Sequence, residues 1–323
     1  MVSIEYLAAF VDGEGYLGLA RIPRRTRSPE YCVRMSIYNT NREVLHEIRR
    51  TSGGIMSTVG QRKPAWKPSH ALIWTNAAAS RLLREIAPYL RVKSKQAATL
   101  LEFDEHLREC RRVRDGGGRL LPLSRRELTL REAFYDRLKR LNARGATRVS
   151  RHGGRERRPE PRTTVSVKYL AGFIDGEGSL MIQKSRDWRY PRPQYRPRIS
   201  IANTDRTVLE DIQQLYGGIL ADQPPRQARW SFGYQLVWSD GMVGRILRSV
   251  KPHLRIKREQ ARVLSELIRH RRRTRQGRRG PNGRFFAPLP SDVIAFRERL
   301  YRRVRELNAR GASPHRRPVA RRK

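Results

Sequence analysis

The sequence is poor in the residues that build disulfide-bonded and zinc-bound folds. It has two cysteines, Cys32 and Cys110, and seven histidines that fall in no metal-ligand spacing. No apolar run reaches the ~18 residues of a membrane-spanning helix, and the amino terminus lacks the charged-apolar-small order of a signal peptide. These absences exclude a disulfide framework, a structural zinc site and a membrane span. They predict a soluble intracellular protein in a reducing compartment, either a prokaryotic cytoplasm or an organelle matrix.

Negative charge is also scarce. Lys and Arg total 70 against 30 Asp and Glu, which gives a formal net charge of +40 over 323 residues. Self-repulsion of this size opposes compaction unless a polyanion binds the surface. Nucleic acid is the expected partner, because Lys and Arg that neutralise phosphates supply most of the non-specific affinity. Hydrophobic residues make up 38% of the chain, which is enough for two modest cores.

The most informative feature that the sequence does contain is an internal repeat. Residues 6–15 (YLAAFVDGEG) recur as residues 169–178 (YLAGFIDGEG). Further matches follow in the same order: SIYNT at 36–40 with SIANT at 200–204, GGI at 53–55 with GGI at 217–219, LRVK at 90–93 with LRIK at 254–257, and LNARG at 141–145 with LNARG at 307–311. A spacing of about 164 residues is that of a duplicated domain rather than of a solenoid.

We therefore divide the chain into two repeats joined by a linker. The connecting segment has Gly-Gly, prolines and many charges, a composition typical of linkers. The predicted boundaries are residues 1–147 for the first repeat, 148–164 for the linker, 165–312 for the second repeat and 313–323 for a basic tail.

Local patterns predict the same α+β order in each repeat. Leu7, Phe10 and Val11 have helical spacing and are followed by a Gly-rich end, whereas residues 33–38 alternate between apolar and polar as in a half-buried strand. Continued along the chain, these patterns give a helix, two strands, a helix, two strands and further helices. The predicted fold is two tandem αββαββα repeats, each with a four-stranded sheet that has one apolar and one basic face.

Each opening helix ends in Asp-Gly-Glu-Gly, which is unfavourable chemistry for a helix terminus. The carboxylates of Glu14 and Glu177 meet the negative end of the helix dipole. A hard divalent cation makes such an arrangement favourable, and carboxylate-held Mg²⁺ beside phosphates is a usual arrangement for phosphodiester cleavage. Small residues in the two helices predict that they pack closely and bring the carboxylates side by side: Ala8, Ala9, Ala171 and Gly172.

Residues 7–15 and 170–178 closely resemble the two signature motifs of the LAGLIDADG homing endonucleases, and the downstream matches extend the resemblance over most of the chain. The resemblance implies a pseudo-twofold monomer whose motif helices form the domain interface. It implies two saddle-shaped antiparallel sheets that lie along the DNA major groove. It also implies hydrolysis of one phosphodiester in each strand of a long, asymmetric target, with short 3′ overhangs, as in intron or gene homing.

The resemblance assigns the metal centre to the last acidic residue of each motif. Glu14 and Glu177 are then the catalytic metal ligands for Mg²⁺, for which Mn²⁺ or Ca²⁺ can substitute. The preceding backbone carbonyls, at Gly13 and Gly176, are implied as further ligands.

Lys93 and Lys257 occupy matching positions in the two repeats. Members of the family often keep a basic residue here, near the scissile phosphates. A lysine there can stabilise developing negative charge or orient the attacking water, so both lysines are candidate catalytic residues.

Three further matched pairs are expected to be structural. They are Asp12 with Asp175 at the helix ends, Gln96 with Gln260 on helix surfaces, and Asn39 with Asn203 as helix caps.

Strands and hairpin loops carry Arg with interleaved aromatic residues, a mixture that suits phosphate contact, guanine recognition and stacking. The predicted DNA-binding residues of the first repeat are Arg21, Arg24, Arg25, Arg27, Arg34, Ser36, Tyr38, Arg62, Lys63, Trp66 and Lys67. Those of the second repeat are Lys184, Arg186, Arg189, Arg198, Ser200, Arg226, Arg229 and Trp230. The residues on strand faces are the expected base readers, and the loop arginines are expected mainly at phosphates.

Two basic segments, residues 269–284 and 316–323, combine charge with Gly and Pro and show little apolar periodicity. They are expected to be flexible phosphate-binding segments or disordered ones.

Two other functions stay open beside the endonuclease: an RNA-binding intron maturase, and a non-catalytic DNA-binding regulator of the same fold. Two intact acidic motif ends favour cleavage over both. An intein is not expected, because the first motif begins within a few residues of Met1. A His-based nuclease and an ATP-driven enzyme are not expected either, because the sequence has no His-Asn-His arrangement and no P-loop. We expect a monomer without an obligate protein partner that binds double-stranded DNA, with intron RNA as a second candidate partner.

Overall fold

The computed structural model describes residues 1–25, 28–60, 68–110, 116–117, 121–143, 164–185, 193–225, 232–274 and 289–309. The first repeat contains α1 (Ile4–Glu14), β1 (Gly15–Ile22), β2 (Glu30–Asn39), α2 (Arg42–Ser52), β3 (Ile55–Val59), β4 (Ser69–Thr75), α3 (Asn76–Ile86), α4 (Ser94–Glu109) and α5 (Arg125–Leu141). The second contains α6 (Val167–Glu177), β5 (Gly178–Ser185), β6 (Gln194–Asn203), α7 (Arg206–Tyr216), β7 (Ile219–Gln223), β8 (Gly233–Ser239), α8 (Gly241–Val250), α9 (Arg258–Arg273) and α10 (Ser291–Leu307).

Each repeat contains one four-stranded antiparallel sheet. The strand orders are β1-β2-β4-β3 and β5-β6-β8-β7, and the pairing registers of the two sheets correspond residue for residue over most of their length. The predicted α+β fold with two four-stranded antiparallel sheets is confirmed.

One face of each sheet is covered by helices and forms the core. In β2 the side chains of Val33, Met35 and Ile37 are buried on this face, and Trp74 of β4 joins them. The alternation predicted for residues 33–38 is therefore confirmed. The core residues of the two repeats form one continuous apolar cluster, because the motif helices α1 and α6 pack against each other between the two sheets.

The motif helices begin and end in the same way. The hydroxyls of Ser3 and Ser166 cap their amino-terminal ends by accepting from the backbone N–H three residues later, at 3.3 Å and 3.1 Å. At the other end the chain passes directly into a strand. A Cβ on Gly15 would lie 2.6 Å from the carbonyl oxygen of Val11, and one on Gly178 would lie 2.5 Å from that of Ile174. Glycine therefore permits the sharp exit that places each motif glutamate beside a sheet.

The repeated Leu-Asn-Ala-Arg-Gly segment fixes the last helix of each repeat to its sheet. The side-chain amide of Asn142 donates to the carbonyl of Leu17 at 2.8 Å, and that of Asn308 donates to Leu180 at 2.8 Å. Because the two asparagines make the same hydrogen bond in both repeats, this contact explains why the segment is repeated.

Two expectations about helices need correction. Gln96 and Gln260 are buried, not on the surface, because their amides donate to the carbonyls of Leu141 (3.2 Å) and Leu307 (3.5 Å) at the ends of α5 and α10. Residues 269–273 of the supposed flexible basic segment are the last turn of α9, while 275–284 and the tail 316–323 lie outside the described residues. None of the helices in the described part of the chain has the length and hydropathy that crossing a membrane requires.

Candidate metal centre and nucleic-acid interface

The carboxyl-terminal ends of α1 and α6 meet at the interface of the repeats. A Cβ on Gly13 would lie 3.5 Å from the Cα of Gly176, and one on Gly172 would lie 3.1 Å from the Cβ of Ala9 and collide with the carbonyl of Tyr6. Of the small residues predicted to permit close packing, Ala9 and Gly172 are thus in direct contact. Close approach at the glycines brings the two motif glutamates to the same place.

Two aspartates lock this interface from both sides. Tyr169 donates its hydroxyl to Asp12 across the interface at 2.7 Å, and Tyr6 donates to Asp175 at 2.7 Å. Each carboxylate is buried and also accepts backbone N–H groups of its own repeat: Arg91 and Lys93 for Asp12, and Arg255, Ile256 and Lys257 for Asp175. Such occupied carboxylates fit the structural role expected for them.

Glu14 and Glu177 have a different environment. Within the described residues, neither carboxylate accepts a hydrogen bond or forms an ion pair. A Cβ on Gly13 would lie 3.2 Å from the Cγ of Glu177, and one on Gly176 would lie 3.6 Å from the Cγ of Glu14, so each side chain lies against the other motif. The two carboxylates are therefore close and lack protein donors.

The pKa values of both glutamates are raised in this environment. Burial, and after it the negative charge of Glu14, raises the pKa of Glu177 to about 7, against the opposing charges of Lys93 and Lys257. Burial also raises the pKa of Glu14, although its side chain keeps contact with solvent. A bound cation would stabilise the ionised form of two carboxylates that are close together and partly buried.

The two lysines lie beside the glutamates. The Nζ of Lys257 donates to the carbonyls of Ile174, at 3.0 Å, and of Asp175, and the Nζ of Lys93 donates to the carbonyl of Asp12. Burial lowers the pKa of both lysines, and the neighbouring carboxylates oppose this shift. Each lysine therefore neutralises the negative end of a motif helix, an interaction that the sequence did not reveal.

Asn39 and Asn203 precede the helix caps rather than forming them. Their side-chain oxygens accept from the backbone N–H of Asn41 and Asp205, at 2.8 Å in both cases, and these following residues cap α2 and α7. The predicted capping role is correct for the turn but displaced by two residues.

The open face of each sheet holds the predicted base readers. Strand alternation places Arg34 and Tyr38 on this face in the first repeat and Arg198 in the second, with Ser36 and Ser200 between them but buried. The face is less basic than predicted, because within the described strands small, aromatic and aliphatic residues such as the exposed Ile55 share it with few arginines.

Arg21 and Lys184 lie on the helix-covered side of the strands. Arg21 Nε donates to Glu132 of α5 at 2.8 Å, and Lys184 Nζ donates to Glu298 of α10 at 2.7 Å. The hydroxyls of Tyr31 and Tyr195 donate to the same two carboxylates. This placement does not favour the DNA contact predicted for Arg21 and Lys184.

Of the remaining predicted DNA contacts, only Arg24 and Arg25 belong to the described part of the chain. Arg24 pairs with Glu30 at 2.7 Å, and Arg25 is exposed at the β1–β2 hairpin. The other loop residues lie outside the described part of the chain: Arg27, Arg62, Lys63, Trp66, Lys67, Arg186, Arg189, Arg226, Arg229 and Trp230.

Comparison with known proteins gives a family match over part of the chain and a fold match over most of it. Residues 170–234 match the family model described as LAGLIDADG endonuclease, and no curated protein matches the chain in sequence. The structure of the I-SmaMI LAGLIDADG homing endonuclease bound to cleaved DNA matches with a TM-score of 0.62 at 12% identity, over 93% of this chain and 96% of that one. I-SmaMI bound to an uncleaved DNA target in the presence of calcium ions gives 0.61 at 13% identity, over 93% and 98%. The LAGLIDADG meganuclease I-CpaMI bound to uncleaved DNA gives 0.55 at 13% identity, over 94% and 99%. At these identities the likeness shows a common fold.

Proposed function

We propose that this chain, whose residues 170–234 match the LAGLIDADG endonuclease family and whose fold is that of the two-domain LAGLIDADG homing endonucleases, is a site-specific endonuclease for double-stranded DNA. The observation that carries the proposal is the meeting of Glu14 and Glu177 at two helix ends, beside two lysines and without a hydrogen-bond donor among the described residues. The finer proposal is hydrolysis of one phosphodiester in each strand of a long asymmetric target, with 3′ overhangs, as intron homing requires.

The donor set fits a hard divalent cation. Glu14 and Glu177 offer carboxylate oxygens, and the ends of α1 and α6 offer backbone carbonyls, for which Gly13 and Gly176 are the proposed contributors. Oxygen ligands of this kind suit Mg²⁺, Mn²⁺ and Ca²⁺. Bound Mg²⁺ would supply Lewis-acid activation of a water and of the phosphate oxygens. The calcium ions seen with I-SmaMI and its uncleaved target support a divalent metal here.

Hydrogen bonds within the protein fix the positions of the two lysines at this centre. Asp12 and Asp175 fix the backbone at Lys93 and Lys257 through N–H bonds of 2.9 Å, and each aspartate is itself held by a tyrosine of the other repeat. The two ammonium groups therefore stand beside the carboxylates without rearrangement. In this position they can stabilise negative charge that develops on a phosphate, which is the proposed catalytic role.

The duplex is proposed to lie along the open faces of the two sheets. Arg34, Tyr38 and Arg198 face outward there. Ser36 lies between Arg34 and Tyr38 on this face, and Ser200 is the next residue on the same face after Arg198. The net charge of +40 favours a polyanion, and the DNA held by I-SmaMI and I-CpaMI supports a duplex as the partner.

The deciding experiment is cleavage of a randomised double-stranded DNA library, with Mg²⁺ and with EDTA, followed by sequencing of the cut ends. One long site cut on both strands only with metal supports the proposal. Tight, salt-sensitive binding without cleavage would contradict it, and an RNA-binding assay would then test the maturase.

The glutamates are tested by Glu14→Gln and Glu177→Gln. Each variant should lower cleavage of the selected site by about 100-fold or more while DNA binding stays largely intact. Glu102→Gln is the matched control, because Glu102 is an exposed acid on α4 that pairs with Arg137 away from the interface. Loss of binding in both motif variants would instead make the glutamates structural.

A further inference from the structure

The two repeats differ at one position next to the metal centre. In each sheet the glycine that follows the motif glutamate is paired with an isoleucine of the neighbouring strand. The residue after that isoleucine is Tyr38 in the first repeat and Ala202 in the second. Equivalent places beside the two glutamates therefore carry a large aromatic ring and a methyl group.

On the second repeat the small residue lines a cavity. A volume of about 270 Å³ is lined by Glu177, Ala202, Asn203 and Tyr234, together with neighbouring strand and turn residues. One water needs roughly 10–15 Å³ on a comparable measure, so the space admits a larger group. Glu177, one of the two motif glutamates, is among the residues that line it.

On the first repeat the open face carries two aromatic rings whose equivalent positions in the second repeat hold small residues. Tyr38 is 40% exposed and Tyr16 is 42% exposed on the same face. The ring of Tyr16 lies across Gly18, where an added Cβ would lie 2.7 Å from its Cζ. The residue equivalent to Tyr16 is Ser179, so both tyrosines are replaced by small residues in the second repeat.

We propose that Tyr38 and Ala202 are specificity-determining residues that make the protein treat the base steps on the two sides of its cleavage centre differently. This inference rests on the proposed function, because it requires a duplex across both open faces. The Tyr38 ring keeps the duplex away from the sheet beside Glu14, whereas the cavity at Ala202 lets it approach beside Glu177. The duplex must then deform more on the side of the first repeat.

Unequal deformation of the DNA can select its sequence, because base steps differ in how easily they deform. Pyrimidine–purine steps bend and unstack more easily than others, so a protein that imposes a local distortion selects them without touching base edges. Flexible steps should therefore be enriched next to the Tyr38 side of the target centre and not next to the Ala202 side. Arginines of the strands and loops would read the outer positions independently.

The test exchanges the two residues. A randomised library is selected twice, once for DNA bound in Ca²⁺ and once for DNA cleaved in Mg²⁺, with the wild type, Tyr38→Ala, Ala202→Tyr and the double variant. The double variant should move the enrichment of flexible steps to the opposite side of the centre, by about fivefold or more per step, the lower end of what one mismatched base pair costs. Outer positions should not change. Tyr38→Phe is the control, because it keeps the ring and should keep the wild-type profile.

Each outcome decides between the two ideas. An unchanged central profile in the double variant overturns the inference and leaves the endonuclease proposal standing. A shifted profile in bound DNA without cleavage supports the inference and removes the proposed activity, whereas no selected sequence in either assay overturns both. If Ala202→Tyr fails to fold, Tyr38→Ala alone decides, because removing this exposed ring should abolish the enrichment.

Discussion

At the scale of single residues, each lysine of the centre neutralises negative charge both at a helix end and at the glutamates. Lys93 and Lys257 neutralise the carbonyls at the ends of the motif helices, and their positive charges partly offset the burial that raises the pKa values of both glutamates. A cation that is fixed in place by its own helix end is available to a phosphate without reorganisation.

Replacing Lys93 by Ala should therefore slow cleavage much more than it weakens binding. The expected loss of rate is about 100-fold, in the range of removing one preorganised donor to developing charge. Single-turnover cleavage and equilibrium binding of the same duplex separate the two effects. Lys95→Ala is the matched control, since it removes the same charge from an exposed position two residues away. Equal losses in both variants would show that only overall charge matters.

The raised pKa of Glu177 predicts a pH-dependent stability of the metal-free protein. Its pKa is about 7 in the folded chain against an ordinary glutamate value of 4.5, with Glu14, Lys93 and Lys257 as the charged groups that face it. Between these two values the folded state binds more protons than the unfolded state. The contribution of Glu177 to stability therefore falls as pH rises through this window.

This dependence is measured by thermal unfolding in EDTA at several pH values between about 5 and 8. Relative to the wild type, Glu177→Gln should gain stability as pH rises, because it lacks the carboxylate that must ionise beside Glu14. Titrating groups that are distant from Glu177 are shared by the two proteins and cancel in the comparison. A difference that does not vary with pH would show that the carboxylate is not perturbed in this way.

At the scale of elements, the contact of α1 with α6 has little spare room. Gly172 lies under the carbonyl of Tyr6 and against Ala9, so any side chain there must push the helices apart. Because Glu14 and Glu177 end these helices, the same displacement would separate the carboxylates. The packing of small residues thus sets both stability and the geometry of the centre.

Gly172→Ala should destabilise the protein by about 1–3 kcal/mol, the usual cost of overpacking. The control is Gly244→Ala in α8, where the nearest side-chain atom would lie 3.8 Å from the new Cβ. That substitution should be neutral or stabilise by up to about 1 kcal/mol, because alanine is the better helix former. Denaturant unfolding of both variants gives the comparison, and equal shifts would mean that the α1–α6 contact can relax.

Elements that depend on local pattern could be predicted from the sequence, and contacts between distant elements could not. Strand β2 follows from its alternating residues, and the motif helices follow from their apolar spacing and duplication. Gln96 was expected on a surface because its hydrogen-bond partner, the carbonyl of Leu141, is distant in sequence and no local pattern indicates it. Arg21 was expected at DNA because its partner Glu132 lies on a helix far along the chain.

The site was predictable to a similar degree. The duplication identified the glutamates and lysines as equivalent pairs. The same residue type at matching positions of both repeats is informative even in a chain with many charged residues. The crossed bonds from Tyr6 and Tyr169 to Asp175 and Asp12 were missed. Both tyrosines belong to the repeated segment, so the signal was present, but only packing of the two helices shows which residue of the other repeat each one meets.

At the scale of the whole molecule, the two repeats are joined by more than the motif helices. Arg91 pairs with Asp211 at 3.0 Å and Arg255 with Glu47 at 2.8 Å, each across the interface. Together with the crossed tyrosine bonds and the continuous core, these ion pairs make the relative position of the sheets part of the fold. A duplex laid on both open faces would then meet a surface of fixed geometry.

The net charge of +40 predicts opposite salt dependences for folding and for DNA binding. Self-repulsion should lower the thermal stability of the free protein at low ionic strength, and added salt should raise it as the Debye length shrinks from about 30 Å at 0.01 M to about 8 Å at 0.15 M. DNA affinity should fall steeply over the same range, because each neutralised phosphate releases a counterion. Melting curves and fluorescence anisotropy in matched NaCl series test both trends, and a short duplex should raise the melting temperature most where salt is lowest. A melting temperature that is independent of salt would mean that internal ion pairs already balance the basic surface, and the excess charge would then serve DNA binding without a cost to the fold.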